Sequence, residues 1–142
     1  QSSLERVLLM LTLMEGQMRY LAPPLEGLLR TLIQREELSP LRFLEETRIQ
    51  MEEGTPFSDA FAESLSSCAS ELALSEGDIR PLVGLGHTLG TTDVSGQLAA
   101  IELCQTEILR NLESARVDNR TRGSLYRKLG MLTGLALVVI FL

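Results

Sequence analysis

Apolar side chains recur at steps of three and four along most of this chain, and a proline or glycine tends to fall where each run stops. A period near 3.6 places such residues on one helix face, whereas a half-buried strand needs strict alternation, which no stretch sustains. The chain is therefore expected to be all-α. Its 142 residues, 44% of them hydrophobic, are enough for one domain with a real core.

Read in order, the stripes mark six helices, with the prolines between them. The first runs from Leu4 to Leu21 on Leu4, Val7, Leu8, Leu11, Met14, Met18 and Leu21, and Pro23-Pro24 stops it. A second opens at Pro24, whose fixed φ suits a first turn, and extends to about Leu38. Ser39-Pro40 starts a third, striped by Leu41, Leu44, Ile49 and Met51 and ending at Glu53, where Gly54 can turn left-handed. Pro56 opens a fourth on Phe57, Ala60, Phe61 and Leu65, expected to dissolve into the Ser66–Ser70 run. A fifth begins near Ser75 with Ser75-Glu76-Gly77-Asp78, a capping box carrying Asp in place of Glu, and closes at Gly90. The sixth is capped by Thr92 or Asp93 and carries Leu98, Ile101, Ile108, Leu112 and Ala115, with Gln105 interrupting. Short connections between six helices imply antiparallel neighbours in a bundle.

Charge divides the chain. Residues 1–109 hold seventeen acids and seven bases, while residues 110–128 hold six bases and two acids. Beyond Lys128 no charge occurs, and the uncharged run 129–142 follows Tyr126, Arg127 and Lys128. An aromatic and a basic flank ahead of an apolar run is how a membrane span begins, with the basic side cytoplasmic. The expected organisation is a bundle over 1–115, a basic juxtamembrane helix or hinge over 116–128, and a C-terminal transmembrane segment over 129–142. Fourteen helical residues reach about 21 Å of a core about 30 Å thick. The span is thus short or continues, and a start on Gln1-Ser2-Ser3 is the start expected of a piece of a longer protein. Arg116, Arg120, Arg122, Tyr126, Arg127 and Lys128 are the membrane-proximal candidates, suited to an anionic bilayer surface.

A net charge of −6 disfavours nucleic acid as a partner. Cys68 and Cys104 make no disulfide framework or zinc spacing, and one histidine, His87, cannot supply a catalytic constellation or a multi-histidine metal site. No cofactor or metal is expected, and no enzyme. His87 falls near a helix end, where a base favours the dipole. Gly84-Leu85-Gly86-His87-Thr88-Leu89-Gly90 has the look of a dinucleotide loop, but that loop needs a preceding strand and here helical residues precede it. Gly84 and Gly86 instead would let a neighbouring helix come close, and Gly90 would permit a tight turn. Adjacent acids diverge by about 100° on a helix and cannot converge on one ion, so Glu36, Glu37, Glu45 and Glu46 are read as a docking face.

The run from Leu85 to Gln97 resembles the Leu-Gly-x-x-Leu-Gly-x-x-Asp-x-x-x-Gln signature of the stage III sporulation protein AB family, carried here by Leu85, Gly86, Leu89, Gly90, Asp93 and Gln97. Glu15, Tyr20, Pro24 and Leu25 resemble that family's early elements, and Lys128 to Leu135 its terminal Leu-Gly-x-x-x-Gly segment; Phe61 stands where the family's Ala-Trp element is expected. The resemblance implies a six-helix bundle similar to the cytoplasmic domain of type II secretion F platform proteins. It implies a place in the channel, or secretion-like complex, linking mother cell and forespore, at the outer forespore membrane with the bundle facing the mother-cell cytoplasm. A cytoplasmic secretion-type ATPase, stage III sporulation protein AA, is the implied partner, alongside other membrane proteins of that complex; self-association is compatible with it. A membrane-anchored adaptor without an ATPase is the alternative.

Overall fold

A computed structural model describes residues 2–89 and 93–124, with side chains described as far as Ser114. The described residues form six α-helices and one 3-10 turn, with no strand among them. The helices are α1 (Ser3–Tyr20), α2 (Leu25–Ile33), α3 (Phe43–Glu52), α4 (Phe57–Leu72), α5 (Glu76–Leu89) and α6 (Val94–Ser124). Two compact units result, residues 1–109 and residues 110–142, divided within α6.

Local chemistry explains each boundary. Ser2 Oγ accepts from the Glu5 amide at 3.2 Å while the Glu5 carboxylate accepts from the Ser2 amide at 2.9 Å, a reciprocal capping box at the start of α1. Its Ser-x-x-Glu signal is legible in the sequence at Ser2 and Glu5. Val7, Met10, Leu11, Met14 and Met18 are buried along α1, but Leu21, counted in its stripe, is 69% exposed past the helix end. Pro24 caps α2, which stops at Ile33 and not near Leu38. The next four residues, Gln34, Arg35, Glu36 and Glu37, are all polar and exposed, so continuation would add a turn with no face to bury. Arg35 is extended, and a single 3-10 turn over Glu36–Leu38 then drives Leu38 and Leu41 into the core.

α3 begins at Phe43, after a tight turn from Pro40, and buries Phe43, Leu44 and Thr47; Ile49, counted in its stripe, is 41% exposed. The Thr47 hydroxyl donates to the Phe43 carbonyl at 2.7 Å, so its burial leaves no polar group unmet. Gly54 adopts φ 104° just past the end of α3, as its position suggests.

α4 does not dissolve at its serines. Leu65, Cys68 and Leu72 extend the buried stripe through them, and Ser67 turns its hydroxyl back onto the Glu63 carbonyl at 3.0 Å. The helix stops only at Ala73, in the left-handed conformation. Pro81 lies inside α5, contrary to the expectation that prolines fall between helices. It removes one helix bond, and the apolar face of Leu82, Leu85 and Leu89 holds the element regardless.

Within residues 1–109 each helix from α1 to α5 packs on the next, and α1 also packs on the 3-10 turn. Phe57 stacks on Phe61 at 5.1 Å between ring centroids, and Phe43 meets Phe61 edge-on at 5.8 Å, joining α3 to α4. Ile101, Cys104 and Ile108 of α6 enter the same core. For residues 110–142 the described part is the remainder of α6, helical to Ser124. Among the described residues no helix is long and apolar enough to cross a membrane. The expected segment 129–142 lies outside the described residues.

Candidate functional site

The described residues of the Leu85–Gln97 run act together at the end of α5 and the start of α6. Ser75 and Asp78 start α5 with the predicted box: the Asp78 carboxylate accepts from the Ser75 amide at 2.9 Å and Ser75 Oγ accepts from the Asp78 amide at 3.2 Å. This orients a helix whose buried face presents Leu82, Leu85, Gly86 and Leu89. At Gly86 a Cβ would stand 2.8 Å from Cδ2 of Phe61, closer than side chains tolerate, so α4 and α5 approach through the glycine's missing side chain. Phe61 fills that notch. Gly84 has no such role: it is exposed, with nothing within 4 Å of a Cβ placed there.

Asp93 and Gln97 act on the two helix ends. Asp93 Oδ1 accepts from the Gly96 amide at 2.9 Å, satisfying one of the amides that α6 leaves open at its start. One turn on, Gln97 Nε2 donates to the Leu89 carbonyl at 3.0 Å, meeting a carbonyl left open at the end of α5. A single four-residue spacing thus ties the end of one helix to the start of the next. Gly90 lies outside the described residues. His87 is exposed in the last turn of α5, as its position predicts.

The four carboxylates read as a docking face differ among themselves. Glu36 and Glu37 sit on the 3-10 turn and Glu45 and Glu46 in the first turn of α3. Glu37 pairs with Arg35 at 3.3 Å, and Glu45 pairs with Arg48, which also holds Glu52. These two have partners of their own. Glu36 and Glu46 are exposed and make no ion pair among the described residues. No group of three His, Cys, Asp or Glu residues is arranged to hold a metal ion among the described residues. Of the membrane-proximal candidates, Arg116, Arg120 and Arg122 lie on helical backbone, and Tyr126, Arg127 and Lys128 lie outside the described residues.

One polar cluster escaped the sequence reading. Glu15 of α1 pairs with Arg19 at 2.7 Å and accepts from Gln105 Nε2 of α6 at 3.2 Å, and Arg19 reaches Glu102 of α6 at 3.3 Å. The hydrogen bonds from Arg19 first and Gln105 next hold the Glu15 carboxyl below its ordinary range. The available signal was Gln105 itself, a polar residue set in an apolar stripe.

Comparison with known proteins places this architecture. Residues 1–142 match the family model described as Stage III sporulation protein AB. A solved structure, "Stage III sporulation protein AB (SpoIIIAB)", aligns with a TM-score of 0.70 and 19% sequence identity, over 82% of this chain and 93% of that one. At that identity the likeness shows a shared fold. No curated protein sequence matches the chain.

Proposed function

The chain belongs to the stage III sporulation protein AB family, and on that premise we propose that it is a non-enzymatic membrane platform of the mother cell–forespore complex, on which a cytoplasmic secretion-type ATPase docks. The match over residues 1–142 carries this reading, because it includes the bundle, the α5–α6 motif and the basic and uncharged tail together. Glu36 and Glu46 support docking, since exposed carboxylates without internal partners are available to a basic surface. The bases of residues 110–128 support a resting place on anionic lipid, each worth about 1 kcal/mol near such a surface. In this reading the bundle faces the mother-cell cytoplasm and the uncharged run enters the outer forespore membrane.

Copurification from sporulating cells tests the reading. The ATPase is expected to accompany the chain and to be lost on Glu36→Lys with Glu46→Lys. Its absence from the unaltered chain's eluate would favour a plain membrane-anchored adaptor.

A further inference from the structure

Within residues 1–109, α6 is held by few side chains. It sinks Ile101, Cys104 and Ile108 into the core and packs Leu98 and Ala100 against it half-buried, whereas the shorter α4 sinks Phe57, Phe61, Leu65, Cys68 and Leu72. Leu103 of α6 stands 61% exposed, and Val94 and Leu109 are exposed as well, so much of its apolar area adds nothing to that hold. Polar contacts add to these: Gln97 on the Leu89 carbonyl, Gln105 on Glu15, and Glu102 on Arg19. The last two contacts step in opposite senses along the helices, 15 to 19 on α1 against 105 to 102 on α6. They grip α6 at two levels.

We infer that α6 is a releasable strap, with Glu15, Arg19, Glu102 and Gln105 as the polar clamp whose opening lets it leave the core while α2 to α5 stay folded. Opening is easiest where few apolar contacts and solvent-facing polar bonds hold an element. The clamp faces water, since the Arg19 and Glu102 side chains are 43% and 55% exposed, and dissolved ions or a partner's charged groups compete for it directly. α6 is also the element that continues past Leu109, to Ser124. The strap does not depend on which partner the chain docks.

The chain carries its own reporters. Cys104 lies on α6, 3% exposed, its thiol pushed up to about 12 by burial, so it reacts only when α6 opens. Cys68 on α4 is buried too, and its charged neighbours Glu71, Glu46 and Arg42 belong to α4 and to α3 with the residue before it. Maleimide labelling of the Cys68→Ala and Cys104→Ala chains follows each thiol alone. Cys104 is expected to label faster than Cys68. Glu102→Ala with Gln105→Ala, which removes both the Arg19 and the Glu15 contacts to α6, should raise the Cys104 rate about tenfold, as loss of two modest hydrogen bonds allows, and leave Cys68 unchanged. Added salt should accelerate Cys104 in the chain with its clamp intact, which decides the matter if the double variant fails to fold. Equal labelling of the two thiols, or a Cys104 rate indifferent to both salt and the clamp substitutions, would overturn the strap.

Discussion

Gly86 and Gly84 lie two residues apart on one helix and should answer opposite ways to the same substitution. At Gly86 an added Cβ meets the buried Phe61 ring, which Phe57 stacks on and Phe43 meets edge-on, so there is little room for it to shift. Gly86→Ala should destabilise the chain by about 1–3 kcal/mol, the usual cost of overpacking. Gly84 faces open space inside a helix, so Gly84→Ala should be neutral or stabilising by up to about 1 kcal/mol. Denaturant midpoints of the two variants give the comparison. The sequence marked both glycines as sites of close approach because glycine shows only that a side chain is missing. Which helix face it occupies depends on the exact register of α5, and that was beyond periodicity alone.

At the scale of elements, the seam between α1 and α6 is expected to weaken in acid. Arg19 and Gln105 depress the Glu15 carboxyl below its ordinary 4.5 in the folded chain. A depressed acid contributes stability that is present above the unfolded value and lost as pH falls through the folded one. Thermal melts taken from neutral pH downward should therefore show a loss beginning near and below about 4.5, and Glu15→Gln should reduce that slope. An unchanged acid limb in the variant would remove Glu15 from the account. Helix starts and stops with local chemistry were legible in the sequence: Ser75 with Asp78, Asp93, and Gly54 all act as their residue types suggest. Where tertiary packing decided, reading failed. The buried line from Phe57 to Leu72 carried α4 through a run of serines, and Leu38 and Leu41 turned the end of the expected second helix into a 3-10 turn. Glu15 and Gln105 are 90 positions apart, and no local pattern announces that they meet.

The whole molecule joins an acidic body to a basic stretch, seventeen acids against seven bases in residues 1–109 and six bases against two acids in residues 110–128. Sequence alone disclosed that split, because formal charge needs no coordinates, and it also disclosed the family. Which carboxylates are already engaged needed the structure: Arg35 and Arg48 occupy Glu37 and Glu45, leaving Glu36 and Glu46 as the residues to test. The basic stretch makes a separate prediction. Arg116→Glu with Arg120→Glu and Arg122→Glu should weaken sedimentation with anionic vesicles at low salt, and unchanged sedimentation would take lipid out of the account.

Docking is best tested by titrating the purified ATPase with the unaltered chain and with the Glu36→Lys, Glu46→Lys chain, following binding by calorimetry. Saturable binding that weakens about tenfold or more in the variant, on the order of 1.4 kcal/mol, is the predicted result. No binding by either chain, or equal affinity in both, would contradict it.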